Sequence, residues 1–212
     1  MRPGKGARSS PGDERLPDRL LRRPSRSPRR GPLAQALPKN PDFTVHGGDI
    51  QYDDSKLETW ASWFPDALSA GSEQATWVAA QLADAAMQPG FRFSVVDFHK
   101  PWVTCGDAGD APDLRAHFEP IFAATGVALV LQAHMHGYER FEFGALTCLT
   151  AAGGGGIIGN PDENTARPYC DKRVASGGFR HAVIFDVAPG KITGTAIDDQ
   201  GMTRDTFTRM VP

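Results

Sequence analysis

The segment that most constrains the fold is residues 127–140, which reads VALVLQAHMHGYER. Its first five residues are all apolar, a pattern typical of a strand buried on both faces. Two histidines, His134 and His136, follow that strand with one residue between them. Imidazoles are common ligands of transition metals, but a His-x-His pair on its own also occurs by chance. The segment therefore predicts a buried strand with possible metal ligands at its carboxyl end.

The same arrangement of strand and polar residue occurs twice more, nearer the amino terminus. Residues 91–98 predict a buried strand that runs into His99. Residues 43–45 predict a short strand followed by HGGD, which places Asp49 and, three residues later, Tyr52 beyond its end. Ligands of an open α/β sheet gather outside the carboxyl ends of its strands. We therefore expect the three sets of side chains to meet at one edge of a sheet.

The remaining elements predict a layered α/β body with a partly mixed sheet. Apolar spacing predicts helices over 56–64, over 73–87 with Ser72 as N-cap, and over 113–125 ending at Gly126. Alternating patterns with Gly-rich turns predict further strands at 145–150, 182–187, 191–197 and 203–210.

A carboxylate, a phenol and three imidazoles together suit Fe, Zn or Mn. One carboxylate can bridge two ions and so form a dinuclear centre for phosphoryl chemistry. Each residue also has an ordinary interpretation, since an Asp after Gly-Gly is often a turn residue and a His after a strand is often a packing residue. Three separate strand ends that all carry ligand types favour the metal site.

These motifs resemble those of the calcineurin-like metallophosphoesterases, specifically the purple acid phosphatases. Residues 48–52, GDIQY, resemble the G-D-x-x-Y motif, and residues 99–101, HKP, resemble the H-x-P element. Residues 133–140, AHMHGYER, are similar to the G-H-x-H-x-Y-E-R block, with Ala133 in place of a glycine. The resemblance covers about residues 41–212 and implies an α/β/β/α sandwich.

The resemblance also implies a role for each site residue. Asp49 would bridge two ions, Tyr52 and His136 would hold the first, Fe(III) in a purple phosphatase, and His99 and His134 would hold the second. A metal-activated hydroxide would then attack the phosphorus of a small phosphate-ester substrate. Asp49, His99, His134 and His136 are the implied catalytic residues.

Two family motifs are not found in this sequence. The family opens with an Asp motif on an early strand, whereas Asp13 follows Ser-Ser-Pro. The family's Asn-His-Glu motif, which supplies a metal ligand and a proton donor, has no counterpart between Tyr52 and His99. We therefore expect a sandwich reduced by an N-terminal and an internal loss. A catalytically degenerate relative that binds metal weakly or not at all is the alternative.

The first 40 residues differ in composition from the rest. They hold 11 of the 23 Lys and Arg residues, 3 of the 25 Asp and Glu residues and 7 of the 17 prolines. This predicts a disordered basic leader, residues 1–40, before a domain at 41–212. Its arginines could contact nucleic acid, although a solvated tail is the simpler interpretation.

The sequence carries no obvious targeting or cross-linking signal. No apolar stretch follows the leader's arginines as in a signal peptide, so we expect a cytoplasmic protein by default, although relatives are often exported. No apolar run approaches the 18 or so residues of a membrane span. The three cysteines predict neither a disulfide framework nor a zinc motif.

Overall fold

A computed structural model describes residues 31–48 and 71–212 of the chain. Asp13, Asp49, Tyr52 and the helix predicted over 56–64 lie outside these residues. No helix in the described part is long and apolar enough to cross a bilayer.

Five strands form the first sheet, in the order β1-β2-β4-β3-β5. Strands β1, β2 and β4 run parallel, while β3 pairs antiparallel with β4 and β5. Their bounds are Ser94–Phe98, Val127–Gln132, Tyr138–Phe143, Leu146–Ala151 and Arg173–Gly177 for β1 to β5 in turn. The parallel arrangement brings the carboxyl ends of β1, β2 and β4 to the same edge.

Three antiparallel strands form the second sheet, in the order β6-β7-β8. They span His181–Ala188, Lys191–Asp198 and Thr203–Met210. Leu129 and Leu149 of the first sheet pack against Ile192 and Phe207 of the second, which makes an apolar layer between the sheets.

Helices cover the other face of the first sheet. Helix α2, Glu73–Ala86, begins at Ser72, whose side chain accepts a hydrogen bond from the Ala75 N–H, as predicted. Helix α3, Pro112–Ala124, places Phe118 and Phe122 against Val130 and Cys148. The predicted mixed α/β architecture with two facing sheets is therefore found, and the reduction of the sandwich stays a prediction.

The structure differs from the sequence analysis at the strand predicted over residues 43–45. These residues have no regular structure, and the Phe43 and Val45 side chains are 80% and 50% exposed. An apolar run forms a strand only when a neighbouring strand pairs with it. No described strand pairs with this run.

The end of the predicted leader is folded. Helix α1 spans Pro32–Ala36 and a 3-10 turn spans Leu37–Lys39. The helix lies beside β6 and β7, and Gln35 donates from Nε2 to the Asp199 carbonyl at 3.4 Å. The prediction of disorder is thus wrong for residues 32–39, while residues 1–30 lie outside the described part.

One cross-link was not predicted from the sequence. Cys105, in the loop after β1, forms a disulfide with Cys170, which begins a 3-10 turn before β5. Cys148 is buried and free. Strands β3 and β5 were also not predicted from the sequence.

Candidate metal centre

The carboxyl edge of the first sheet collects the candidate ligands of the described region. His99 directly follows β1, and His134 follows β2 after Ala133. His136 lies two residues before β3, whose first residue Tyr138 pairs with Ala151 at the end of β4. All three histidines therefore lie at the edge where the sequence predicts a ligand site.

His99 is held by a backbone carbonyl. Its Nδ1 lies 2.8 Å from the Gly47 oxygen. A carbonyl oxygen only accepts hydrogen bonds, so Nδ1 carries the proton and the lone pair of the neutral ring is at Nε2. This is the second-sphere arrangement common among metal-binding histidines, because it fixes both the tautomer and the ring orientation.

The His99 and His134 rings lie edge to face, with one nitrogen of each close to the other. His99 Nε2 lies 3.1 Å from His134 Nδ1, and the ring planes are inclined at 68°. Two nitrogens bound at about 2.0–2.1 Å to one ion lie roughly 2.9–3.4 Å apart when they subtend about 90–110°. In this structure the contact is a hydrogen bond, which His134 Nδ1–H donates to the lone pair of His99 Nε2. Without that proton, the two nitrogens would have the spacing of two ligands on one ion.

The backbone around His134 aids this approach. His134 has a positive φ of 64°, which turns the chain sharply at the end of β2. The Ala133 N–H donates to the His99 carbonyl at 3.0 Å and so joins the ends of β1 and β2. Ala133 occupies the position at which the family motif has glycine. It lies against Gly47, since a Cβ added at Gly47 would be 3.0 Å from the Ala133 Cβ.

The chain that leads into Asp49 also reaches this edge. A Cβ placed on Gly48 would lie 2.8 Å from His99 Nδ1, and Gly48 has a φ of 101°. Glycine is required here both for space and for backbone conformation. Asp49 thus follows a residue in contact with His99, although Asp49 and Tyr52 themselves lie outside the described residues.

His136 is held in the same manner as His99. Its Nδ1 lies 2.9 Å from the Ile157 carbonyl oxygen, which leaves the lone pair of the neutral ring at Nε2. Within residues 31–48 and 71–212, no three acidic, His or Cys side chains converge closely enough to hold an ion on their own. A complete ligand set would therefore need residues outside this part of the chain, as the predicted Asp49 and Tyr52 are.

Two further groups near the site were not identified as candidates. Asp97, on β1, has its pKa raised by partial burial, against the opposing effect of His46 and His99. His46 is exposed and its Nδ1 accepts a hydrogen bond from the Gly48 N–H at 3.2 Å. Alternate residues of β1 point to opposite faces, so Asp97 lies on the face opposite Val96 and Phe98. This alternation is the sequence signal that could have identified Asp97.

The Tyr-Glu-Arg half of the motif is structural in this protein. Tyr138 Oη and Arg140 Nε each donate to Asp205 Oδ2 at 2.7 Å, which joins β3 to β8 of the second sheet. Burial would raise the pKa of Asp205, but the hydrogen bonds from Arg140 and Tyr138 outweigh that effect and lower it. Tyr138, Arg140 and Asp205 therefore hold the two sheets together next to the candidate metal site.

Comparison with known proteins shows partial similarity to the purple acid phosphatases. Purple acid phosphatase 18 of Arabidopsis thaliana is 34% identical over 73 residues, which is 32% of this chain and 16% of that protein. An uncharacterized protein of Mycobacterium tuberculosis is 29% identical over 100 residues, 46% of this chain and 18% of its own length. No family model matches the chain. The matched regions are therefore less than a fifth of each relative.

Two solved structures share the fold. GAP50, the anchor in the inner membrane complex of Plasmodium, has a TM-score of 0.60 at 14% identity over 73% of this chain and 47% of that one. Purple acid phosphatase PPD1 from yellow lupin seeds has a TM-score of 0.53 at 15% identity over 65% of this chain and 28% of that one. The sequence and structural similarities together indicate a metallophosphoesterase-like fold.

Proposed function

We propose that the protein is a metal-dependent phosphoesterase that hydrolyses small phosphate esters. The observation that carries this proposal is the 3.1 Å separation between His99 Nε2 and His134 Nδ1, together with the Gly47 carbonyl that directs the His99 lone pair toward His134. Such a pair has the spacing of two ligands on one ion. Its position at the carboxyl edge of parallel strands is where α/β proteins bind ligands.

The proposed ligand set follows the resemblance to the purple acid phosphatases. In this proposal His99 and His134 would hold one ion, His136 and Tyr52 would hold the other, and Asp49 would be a ligand of both. Bound Fe, Zn or Mn would supply Lewis acidity toward a phosphoryl oxygen and would acidify water near neutral pH. The protein itself orients the imidazoles. The Gly47 carbonyl accepts a hydrogen bond from His99 Nδ1, and the Ile157 carbonyl accepts one from His136 Nδ1.

The test is the metal content and the hydrolytic activity of the purified chain. We expect bound metal in the wild type and hydrolysis of an aryl phosphate that depends on added Zn, Mn or Fe. His134→Ala and Asp49→Asn should each lose most of both. His117→Ala, which removes an imidazole on α3, is the matched control and should keep both.

Two outcomes would contradict the proposal. Equal turnover by the wild type and the two variants would identify a contaminating phosphatase. A folded protein that binds no metal and hydrolyses no ester would establish the degenerate relative instead.

Iron gives a separate test of the Tyr52 assignment. A phenolate bound to Fe(III) produces a visible charge-transfer band, so Tyr52→Phe should abolish the colour of the iron-loaded protein. If the iron-loaded wild type is active but colourless, Tyr52 is a packing residue and not a ligand.

A further inference from the structure

Four consecutive glycines, residues 153–156, follow β4 at the same edge of the sheet as the histidines. The two ends of this run lie against different imidazole rings. A Cβ on Gly153 would be 2.2 Å from His181 Nδ1, and a Cβ on Gly156 would be 2.7 Å from both Nδ1 and Cε1 of His136. In contrast, a Cβ on Gly154 would meet nothing within 4 Å.

Gly156 is required for space and not for backbone conformation. Its φ lies outside the left-handed region that favours glycine, so alanine could adopt the same backbone. The His136 ring, however, is closer than Cβ atoms normally approach another heavy atom, so a side chain at position 156 requires the ring or the backbone to shift. The backbone of residue 156 therefore approaches the ring directly.

This approach allows the next residue to hold His136. The Ile157 carbonyl oxygen lies 2.9 Å from His136 Nδ1, and the Gly159 N–H donates to the His136 carbonyl at 2.7 Å. The residue is thus fixed at its ring and at its backbone by residues 157–159. With the proton held at Nδ1, the lone pair of the neutral ring is at Nε2.

We propose that Gly156 is a positioning residue for His136, because it lets the Ile157 carbonyl fix the tautomer and orientation in which Nε2 binds a metal ion. The inference rests on the proposed function, in which His136 is a ligand of one of two ions. Gly156→Ala must displace the ring or break the bond between Nδ1 and the Ile157 carbonyl. Loss of such an outer-sphere partner typically weakens metal binding about 10–100-fold.

The test compares Gly156→Ala with Gly154→Ala in the full chain, with Zn²⁺ as the probe. We expect one of the two Zn²⁺ binding steps to weaken by about 10–100-fold in Gly156→Ala and neither to change in Gly154→Ala. The binding step assigned to His99 and His134 should be unchanged in both variants. Equal Zn²⁺ affinities in the wild type and Gly156→Ala would overturn the inference.

The metal-free protein provides a readout that does not depend on the proposed function. The ¹⁵N shifts of the His136 ring should show a proton on Nδ1 in the wild type and in Gly154→Ala. In Gly156→Ala this tautomer should lose its dominance. If the wild type binds no Zn²⁺ but the tautomers differ as expected, the proposed function fails while the positioning by Gly156 stands.

A loss of folding in Gly156→Ala would not prevent a decision. The wild-type shifts can still overturn the inference, because the proposed arrangement requires the proton of His136 on Nδ1. A dominant proton on Nε2 in the folded wild type would exclude the hydrogen bond to the Ile157 carbonyl, and with it the inference.

Discussion

Glu139 is a fully buried carboxylate on β3, enclosed by the loop after β1 and by Arg173 of β5. It accepts hydrogen bonds from Thr104 Oγ1 at 2.6 Å, from the Cys105 N–H at 2.8 Å and from Arg173 Nη1 at 3.1 Å. Burial raises the pKa of Glu139, and the hydrogen bonds from these three residues only partly oppose that effect. The charged form is therefore less favourable in the folded state than in the unfolded one.

The sign of the pH dependence follows from this raised pKa. The contribution of Glu139 to stability is fully present below its ordinary value of 4.5 and is lost as the pH rises through the raised pKa. We expect the free energy of unfolding of the wild type to fall relative to that of Glu139→Gln as the pH rises above about 4.5. Denaturant titrations of both proteins across this range measure the difference.

Two variants control this experiment. Glu163→Gln removes an exposed carboxylate and accounts for the loss of one charge. Arg173→Ala should raise the pKa of Glu139 further and destabilise the fold most at high pH, because it removes the cation beside the buried carboxylate. A difference between wild type and Glu139→Gln that does not change with pH would show that the folded and unfolded pKa values of Glu139 are equal.

At the scale of elements, the Cys105–Cys170 disulfide connects the loop after β1 to the 3-10 turn before β5. It closes a loop of 65 residues, and a loop of this length gives a stabilisation of about 4 kcal/mol in the chain-entropy model, with about 2–4 kcal/mol typical of measured disulfides. Disulfides persist in oxidising compartments. The bond should therefore form only where the surroundings of the protein are oxidising.

We expect the denatured, unreduced protein to show one reactive thiol per chain and the reduced protein to show three. In the folded protein Cys148 should not react, because burial raises its thiol pKa and excludes reagent. Cys105→Ser with Cys170→Ser should lower the free energy of unfolding by about 2–4 kcal/mol. Three reactive thiols without reduction would contradict the disulfide.

The sequence predicted elements well where local signals agree. Helix α2 has its predicted N-cap at Ser72, and the apolar run that begins at Val127 forms the buried strand β2. Strand β3 was missed because Glu139 and Phe141 share its buried face, so the alternation of apolar and polar residues is absent. The disulfide was missed because its two cysteines are 65 residues apart and sequence spacing does not reveal such pairs.

The candidate site was predictable only in part. The side chains of His99 and His134 were found from the motifs, and the structure brings them together. The carbonyls of Gly47 and Ile157 were not found, because every residue has a carbonyl and only the fold decides which one meets an imidazole. The positions of Asp49 and Tyr52 stay predictions.

At the scale of the molecule, the site edge and the contact between the sheets share one motif. His134 and His136 lie at the edge, and Tyr138 and Arg140 reach Asp205 on the second sheet. The second sheet thus supports β3 directly behind the candidate ligands. The fold alone does not establish hydrolysis, because one fold supports many functions and activity depends on the site residues.

The last prediction concerns the choice of ester, because the sequence has no counterpart of the family's Asn-His-Glu proton donor. The leaving group of an aryl phosphate is a phenolate of moderate basicity, which needs little protonation. The leaving group of an alkyl phosphate is a strongly basic alkoxide. Loss of a positioned general acid typically costs about 10²–10⁴-fold in rate. With saturating Zn, Mn or Fe we therefore expect hydrolysis of an aryl phosphate and slower hydrolysis of an alkyl phosphate by about that factor.

A series of aryl esters with increasingly basic leaving groups should show a steep fall in kcat/KM, while His134→Ala should be inactive on all of them. Similar rates on aryl and alkyl esters that His134→Ala abolishes would mean that a residue of this chain protonates the leaving group.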